Sequence, residues 1–325
     1  MRLIGFASAG ALALVMASAG QALAQPQDWP NRPVRVVVPF GAGGSADRLG
    51  RIAADYLTKA FGQQFYIENR VGAGGAVASK DIVRVEADGY TLMVGGSGSH
   101  TIGPAENPHI GYDPMKDFVH IAMIGGESFA FSAQASLGVK NFNDLIALSK
   151  SRSEPINIGT PGTASLGQLM VEQMLLRKIA NLNHVPYRGG APLLTDFFGN
   201  HIPVAATPIL PILQQVEIGA IVPLVVTSPN RIPVLKDVPT FAEAGYPEMT
   251  GAIWFWLAGP KGLPPRIVTR LNNELRHMIA MSETRQMFEK TALLSLDADS
   301  PTLTKRVADE LDHWKAFFEE KSSKK

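Results

Sequence analysis

Residues 34–57 read VRVVVPFGAGGSADRLGRIAADYL. An apolar, β-branched run ends at Pro39, and Gly41, Gly43 and Gly44 follow. Leu49, Ile52, Ala53, Tyr56 and Leu57 then recur near the helical period. Strand, glycine loop and helix in succession present the unpaired N–H groups of a first helical turn to whatever lies beyond the strand. The loop lacks the Gly-Lys-Ser/Thr of a P-loop and misses the G-x-G-x-x-G register, because position 46 is alanine. The pattern predicts a small anion held by backbone N–H groups around Gly43, Gly44 and Ser45. Ser45 has a second reading, as the N-cap of a tight turn. Asp47, in the first helical turn, suits the helix dipole but would oppose a second negative charge beside it.

INIGTPGTAS at 156–165 repeats the theme of strand, small-residue loop and helix. Thr160, Thr163 and Ser165 add hydroxyl donors there. GGSGSH at 95–100 ends another strand in small residues, so Ser97 and Ser99 either complete a pocket floor or form a flexible connection. Two such loops, one in each half of the chain, predict two α/β lobes closing on one ligand outside the carboxyl ends of their strands.

Strand and helix signals alternate from Pro33 to about Leu213, which predicts largely parallel sheets. HIAMIGGESFAFSAQAS reads as two strands joined near Gly125 and Gly126, and NFNDLIALSKSR as a helix capped by Asn141 or Asn143. WFWLAGP at 254–260 is an apolar strand, with Trp254 and Trp256 expected to pack rather than stack on a ligand. The C-terminal part is helical.

The chain has 325 residues, 46% hydrophobic and 18% charged, which suits about two folded domains. A net charge of +1 without a basic run argues against nucleic acid as a partner. The start combines Met1-Arg2, an apolar Gly/Ala/Ser-rich run and Ala22-Leu23-Ala24, which predicts a secretory signal peptide over residues 1–24, cleaved before Gln25. No cysteine is present, so disulfides and thiolate metal sites are excluded. The seven histidines show no metal-ligand spacing, and no G-x-S-x-G elbow occurs, so neither a metal nor a catalytic residue is expected.

WPNRPVRVVVPFGAGGSAD, ENRVGAGGAVASKDIV, ADGYTLMV, YDPMKDF, INIGTPGTASLGQL, HVPYRGGAPLLTDFFGN, VVTSPNRIPVLKDVPTFAEAGYPE and WFWLAGPKGLPP run in order from Trp29 to Pro265. Together they resemble the Bug family, the extracytoplasmic solute receptors of tripartite tricarboxylate transporters. The resemblance implies an α/β type II periplasmic-binding-protein fold, with two α/β domains joined by two crossover strands and the ligand cleft between them. Residues 25–127 and 251–325 would form domain 1, and 128–250 domain 2. It also implies that a carboxylate is gripped by the loop Phe40–Asp47 and the loop Thr160–Ser165, through backbone N–H groups and ordered water. Ala42 and Ala164 would then mark the close backbone approach. The implied protein is a periplasmic monomer with no cofactor, which delivers a di- or tricarboxylate, an aromatic acid or an acidic amino acid to membrane transporter subunits. A receptor feeding a sensor kinase and a secreted hydrolase are the alternatives. Departures from the family pattern lie after the third strand (SHTIGPAENPHIGYDP), at Gln168, where many relatives carry histidine, and at Pro203, where aspartate is common. The first two lie near the expected cleft mouth and bear on ligand identity.

Overall fold

The computed structural model describes residues 29–162 and 165–323. The expected leader and two residues of the second loop, Thr163 and Ala164, lie outside the described residues. β1 (Val34–Val38) leads into α1 (Ser45–Phe61), β2 (Phe65–Asn69), α2 (Ala76–Ile82), β3 (Thr91–Gly96), α3 (Gly103–Glu106) and β4 (Phe118–Glu127). Ser128 alone separates β4 from β5 (Phe129–Gln134). Next come α4 (Phe142–Ser151), β6 (Ile156–Thr160), α5 (Leu166–Leu176), β7 (Leu182–Pro186), α6 (Gly190–Phe198), β8 (Val204–Pro208), α7 (Leu213–Glu217) and β9 (Ile221–Val226). The chain ends with β10 (Ile253–Pro260), α8 (Pro265–Ala280), α9 (Ser282–Lys290), β11 (Leu293–Leu294) and α10 (Ser300–Ser323).

The strands form two sheets, ordered β11-β4-β10-β3-β1-β2 and β7-β6-β8-β5-β9. Both repeat one plan. A parallel trio (β3-β1-β2, then β8-β6-β7) is followed by an antiparallel strand, β10 or β5, and then by β4 or β9. The sheets are therefore mixed, not largely parallel. The correction has a topological cause: each antiparallel strand is the one by which the chain enters that sheet from the other, so it arrives running backwards.

This plan fixes where the strands end. β4 and β1 both run antiparallel to β10 or parallel to its antiparallel partner β3, so their carboxyl ends share one edge. In the second sheet the start of β5 lies at the same edge as the carboxyl ends of β6 and β8. With only Ser128 between β4 and β5, these two edges face each other.

The first sheet is covered on both faces, which explains the unbroken apolar run of β1. Val34, Val36 and Val38 pack with Leu49, Ala53 and Leu57 of α1. Val37 points the other way, into Met93, Trp256 and the α10 residues Leu303 and Val307. In the second lobe Phe131, Phe142 and Phe241 meet edge to face, with centroids 5.2 and 5.0 Å apart along the chain of three. Asn141 caps α4 by accepting the Asp144 N–H, as one of its two sequence readings had it.

His100 of the β3–α3 connection and His120 of β4 are buried with ring centroids 5.9 Å apart, against Trp256. Burial holds the His100 pKa well below 6.5, with His120 adding to the effect, and lowers His120 to about 4. Both stay neutral in the folded protein where the unfolded chain would take up protons. Their contribution is complete above pH 6.5 and is lost as pH falls towards 4. Each adds up to about 1.4 kcal/mol per pH unit to the slope. Glu127, raised to about 7 by burial, acts in the opposite sense as pH falls from 7. Urea unfolding at several pH values between 6.5 and 4.5 should therefore show a shallower loss of stability in His120→Gln than in the unsubstituted protein; equal slopes would contradict the assignment.

Candidate functional site

α1 begins on Gly44, an N-cap without a side chain to cap it. The first backbone bond of the helix runs from Arg48 N–H to Gly44 O at 2.9 Å, so the N–H groups of Ser45, Ala46 and Asp47 precede the ladder. Gly41 to Gly44 are exposed, with Gly43 at φ +82°, a conformation that suits glycine. Ser45 is thus the first helical residue and not the N-cap, and its hydroxyl donates to Glu127. Phe40 is half-buried, and its carbonyl accepts from Asn69 Nδ2 at 3.0 Å.

Asp47 is buried and turned inward. Its carboxylate accepts from Gly43 N–H at 2.9 Å, from Asn69 Nδ2 at 2.9 Å, and from Arg51 Nε and Nη2 at 2.9 and 3.0 Å. Burial alone would raise its pKa, but the Arg51 pair, the Gly43 N–H and Asn69 outweigh it and hold the carboxyl below the usual range. Asp47 therefore shapes the loop and does not face an anion with an open charge. It also occupies the Gly43 N–H, which the sequence reading had left open for the ligand. Asn69 and Arg51 were not singled out from the sequence, although the i,i+4 spacing of Asp47 and Arg51 is a readable signal.

In the second loop Gly162 has φ +102°, and a Cβ there would lie 2.3 Å from the Tyr187 carbonyl oxygen. Thr160 is fully buried, with Oγ1 2.8 Å from His184 Nε2. Ser165 caps α5 by accepting the Gln168 N–H at 3.2 Å. Ser97 and Ser99 are buried and tied inward. Ser97 Oγ accepts the Trp254 N–H, Ser99 Oγ bonds Gly96 O, and the segment Gly98–Ile102 is a wide, buried helical turn. The candidate hydroxyls of Thr160, Ser165, Ser97 and Ser99 are thus engaged within the protein.

Glu127, which the sequence did not flag, ends β4 at the crossover, buried and bonded to Ser45. Burial pushes its pKa up to about 7, against the lowering effects of Ser45 and Arg48. Topology then places the β1–α1 loop, Glu127 and the β6–α5 loop along the facing edges of the two sheets. Two surface grooves of about 920 Å³ each lie elsewhere, one against α1, α8 and α9 and one between the α3–β4 connection and α10. Neither is walled by these loops. Among the described residues no group of three or more His, Cys, Asp or Glu is placed to hold a metal, and no helix is long and apolar enough to cross a membrane.

The family model described as "Tripartite tricarboxylate transporter family receptor" matches residues 49–322. The chain belongs to this family. It is 29% identical over 315 residues to Protein BugT of Bordetella pertussis, covering 96% of this chain and 97% of that one. Among solved structures, Rpa4515 of R. palustris, with adipate, is 32% identical at a TM-score of 0.84, with 90% of this chain and 98% of that one covered. MatC of Rhodopseudomonas palustris, with bound malate, is 28% identical at 0.79, with 89% and 100% covered. The periplasmic binding protein BugD is 28% identical at 0.80, with 90% and 98% covered. The tricarboxylate-receptor fold, with two α/β lobes, is thus the fold described above.

Two outcomes follow from the loop geometry. Asp47→Ala should leave the Gly43 N–H and Arg51 without their partner, cost about 1–3 kcal/mol in chemical denaturation, and speed amide exchange at Gly41–Ser45; unaltered exchange there would argue against the clamp. Gly162→Ala should lower the melting temperature, because the left-handed backbone and the Tyr187 carbonyl leave no place for a Cβ.

Proposed function

We propose that the protein is a periplasmic solute-binding receptor that captures a small carboxylate between its two lobes and passes it to membrane transporter subunits. The observation that carries this is the pair of helix N-terminal loops at the facing edges of the two sheets, the first of them capped only by glycine. Membership of the receptor family supports it, as do adipate and malate in two relatives. In this reading residues 25–127 with 251–325 form one domain and 128–250 the other, and the membership of the two sheets supports that division. The ligand is held and released unchanged.

The two loops act as jaws. The N–H groups of residues 41, 42, 45 and 46 in the first, and those of the Thr160–Ser165 loop in the second, are the proposed donors. Each helix N-terminus favours a negative charge by ~0.3–1 kcal/mol. A few charge-assisted bonds at roughly 1.5–3 kcal/mol each meet the ~8 kcal/mol of a micromolar complex. Ligand contacts made only with the lobes together would drive closure.

Calorimetric titration with adipate, malate, succinate, citrate, aspartate and benzoate is the direct test. At least one should bind and be recovered unchanged, and Ala42→Trp should weaken it at least tenfold by blocking the backbone approach. Full affinity in that variant would remove the first loop from the site. Chemical conversion of the bound compound would remove the receptor reading.

A further inference from the structure

α10 starts in the first lobe, where it packs along β4 and α3. Its last turn reaches the second lobe. There Lys321 Nζ lies 2.7 Å from Glu172 Oε2 on α5, with side-chain exposures of only 25% and 14%. This ion pair joins the two lobes, whereas Arg177–Glu248 and Arg276–Asp297 each lie within one. The contact continues inward. Glu172 Oε1 accepts from Gln168 Nε2 at 3.0 Å, and the Gln168 N–H is accepted by Ser165 Oγ at the mouth of the second loop. A line of side chains thus runs from the end of α10 to the jaw proposed to hold the ligand.

We infer that Lys321 and Glu172 are positioning residues: they form a latch across the cleft that holds the N-terminus of α5, and with it the Thr160–Ser165 loop, against the first lobe. This inference rests on the two-jaw reading given above. The electrostatics around the pair give it direction. Glu106 of α3 lies on the first-lobe side, and its carboxyl is held up by burial and by Glu172, while Lys321 acts the other way. The pKa of His184, beside Thr160, is lowered mainly by burial, with Glu172 and Lys321 exerting opposite effects. Lys321 therefore attracts an acid from each lobe, touching Glu172. Without it, Glu106 and Glu172 repel across the interface. Without Glu172, both the attraction and the repulsion vanish.

The two substitutions should consequently differ. The chain has no cysteine, so spin labels can be placed at Lys59→Cys on α1 and Lys150→Cys on α4, both exposed, without removing a native thiol. Pulsed dipolar spectroscopy of the ligand-free protein then reads the lobe separation. Lys321→Met should raise the longer-distance population roughly threefold, the scale of one ion pair of ordinary strength. Glu172→Gln should raise it less, Lys321→Met with Glu172→Gln should match Glu172→Gln alone, and Lys321→Arg should keep the unsubstituted distribution. Amide exchange at 166–169 should quicken in Glu172→Gln. If Lys321→Met does not fold, Glu172→Gln and the exchange data carry the test. Superimposable distributions in all variants, or equal loss in Lys321→Arg and Lys321→Met, would overturn the latch. Because no ligand is used, that result would leave the carboxylate reading standing. A ligand that binds with its site mapped away from 160–165 would overturn the two-jaw reading and this inference with it.

Discussion

One residue, Ser128, carries the chain from β4 of one sheet into β5 of the other. A link that short cannot turn the sheets away from each other, so the carboxyl ends of β1 and β4 must face those of β6 and β8. Hydrogen bonds brace the crossing. Phe129 N–H donates to Thr227 Oγ1, Thr227 N–H donates to Phe129 O, and Gly251 N–H donates to Thr227 O at 2.7 Å. The outgoing and returning connections are thereby joined at one point. The Ser45–Glu127 bond ties the first glycine loop to the same crossing. The facing positions of the two loops follow from this constraint.

Around the loops, side chains serve the protein, and in the proposed reading the backbone is left for the ligand. Asp47, Asn69 and Arg51 satisfy one another and the Gly43 N–H. Ser165 satisfies the Gln168 N–H, and Thr160 meets His184. This division has a physical logic. Donors fixed on a helix turn need no reorganisation to meet a carboxylate, whereas a long cationic side chain would lose rotamer freedom on doing so. It fits a family whose members hold different carboxylates in one fold.

Much of the architecture was legible in the sequence. The bounds of α1 and the recurrence of strand, loop and helix at 156–176 follow from local periodicity and glycine placement, whereas the break between β4 and β5 falls at Ser128 and not at Gly125 and Gly126, which lie inside β4. What stayed hidden is non-local. Neither Ser97 nor Ser99 could be assigned to the core, because a serine after a strand reads the same whether it meets the Trp254 N–H or a solute. The antiparallel strands β5 and β10 read as ordinary apolar strands, since strand direction leaves no mark on composition. Glu127 resembles any strand-end acid until Ser45, distant in sequence, is placed beside it. The contact between Lys321 and Glu172 likewise joins helices far apart along the chain.

The interleaved strand order also sets an order of assembly. All five strands of the second sheet lie between Phe129 and Val226, so that sheet can complete itself from one continuous run. The first sheet cannot: β10, which lies between β3 and β4, begins only at Ile253. β1, β2 and β3 can pair among themselves, but β4 has no partner until β10 is made. Completing the sheet therefore requires the insertion of β10 between strands made well over a hundred residues earlier, a non-local closure of the kind that slows folding.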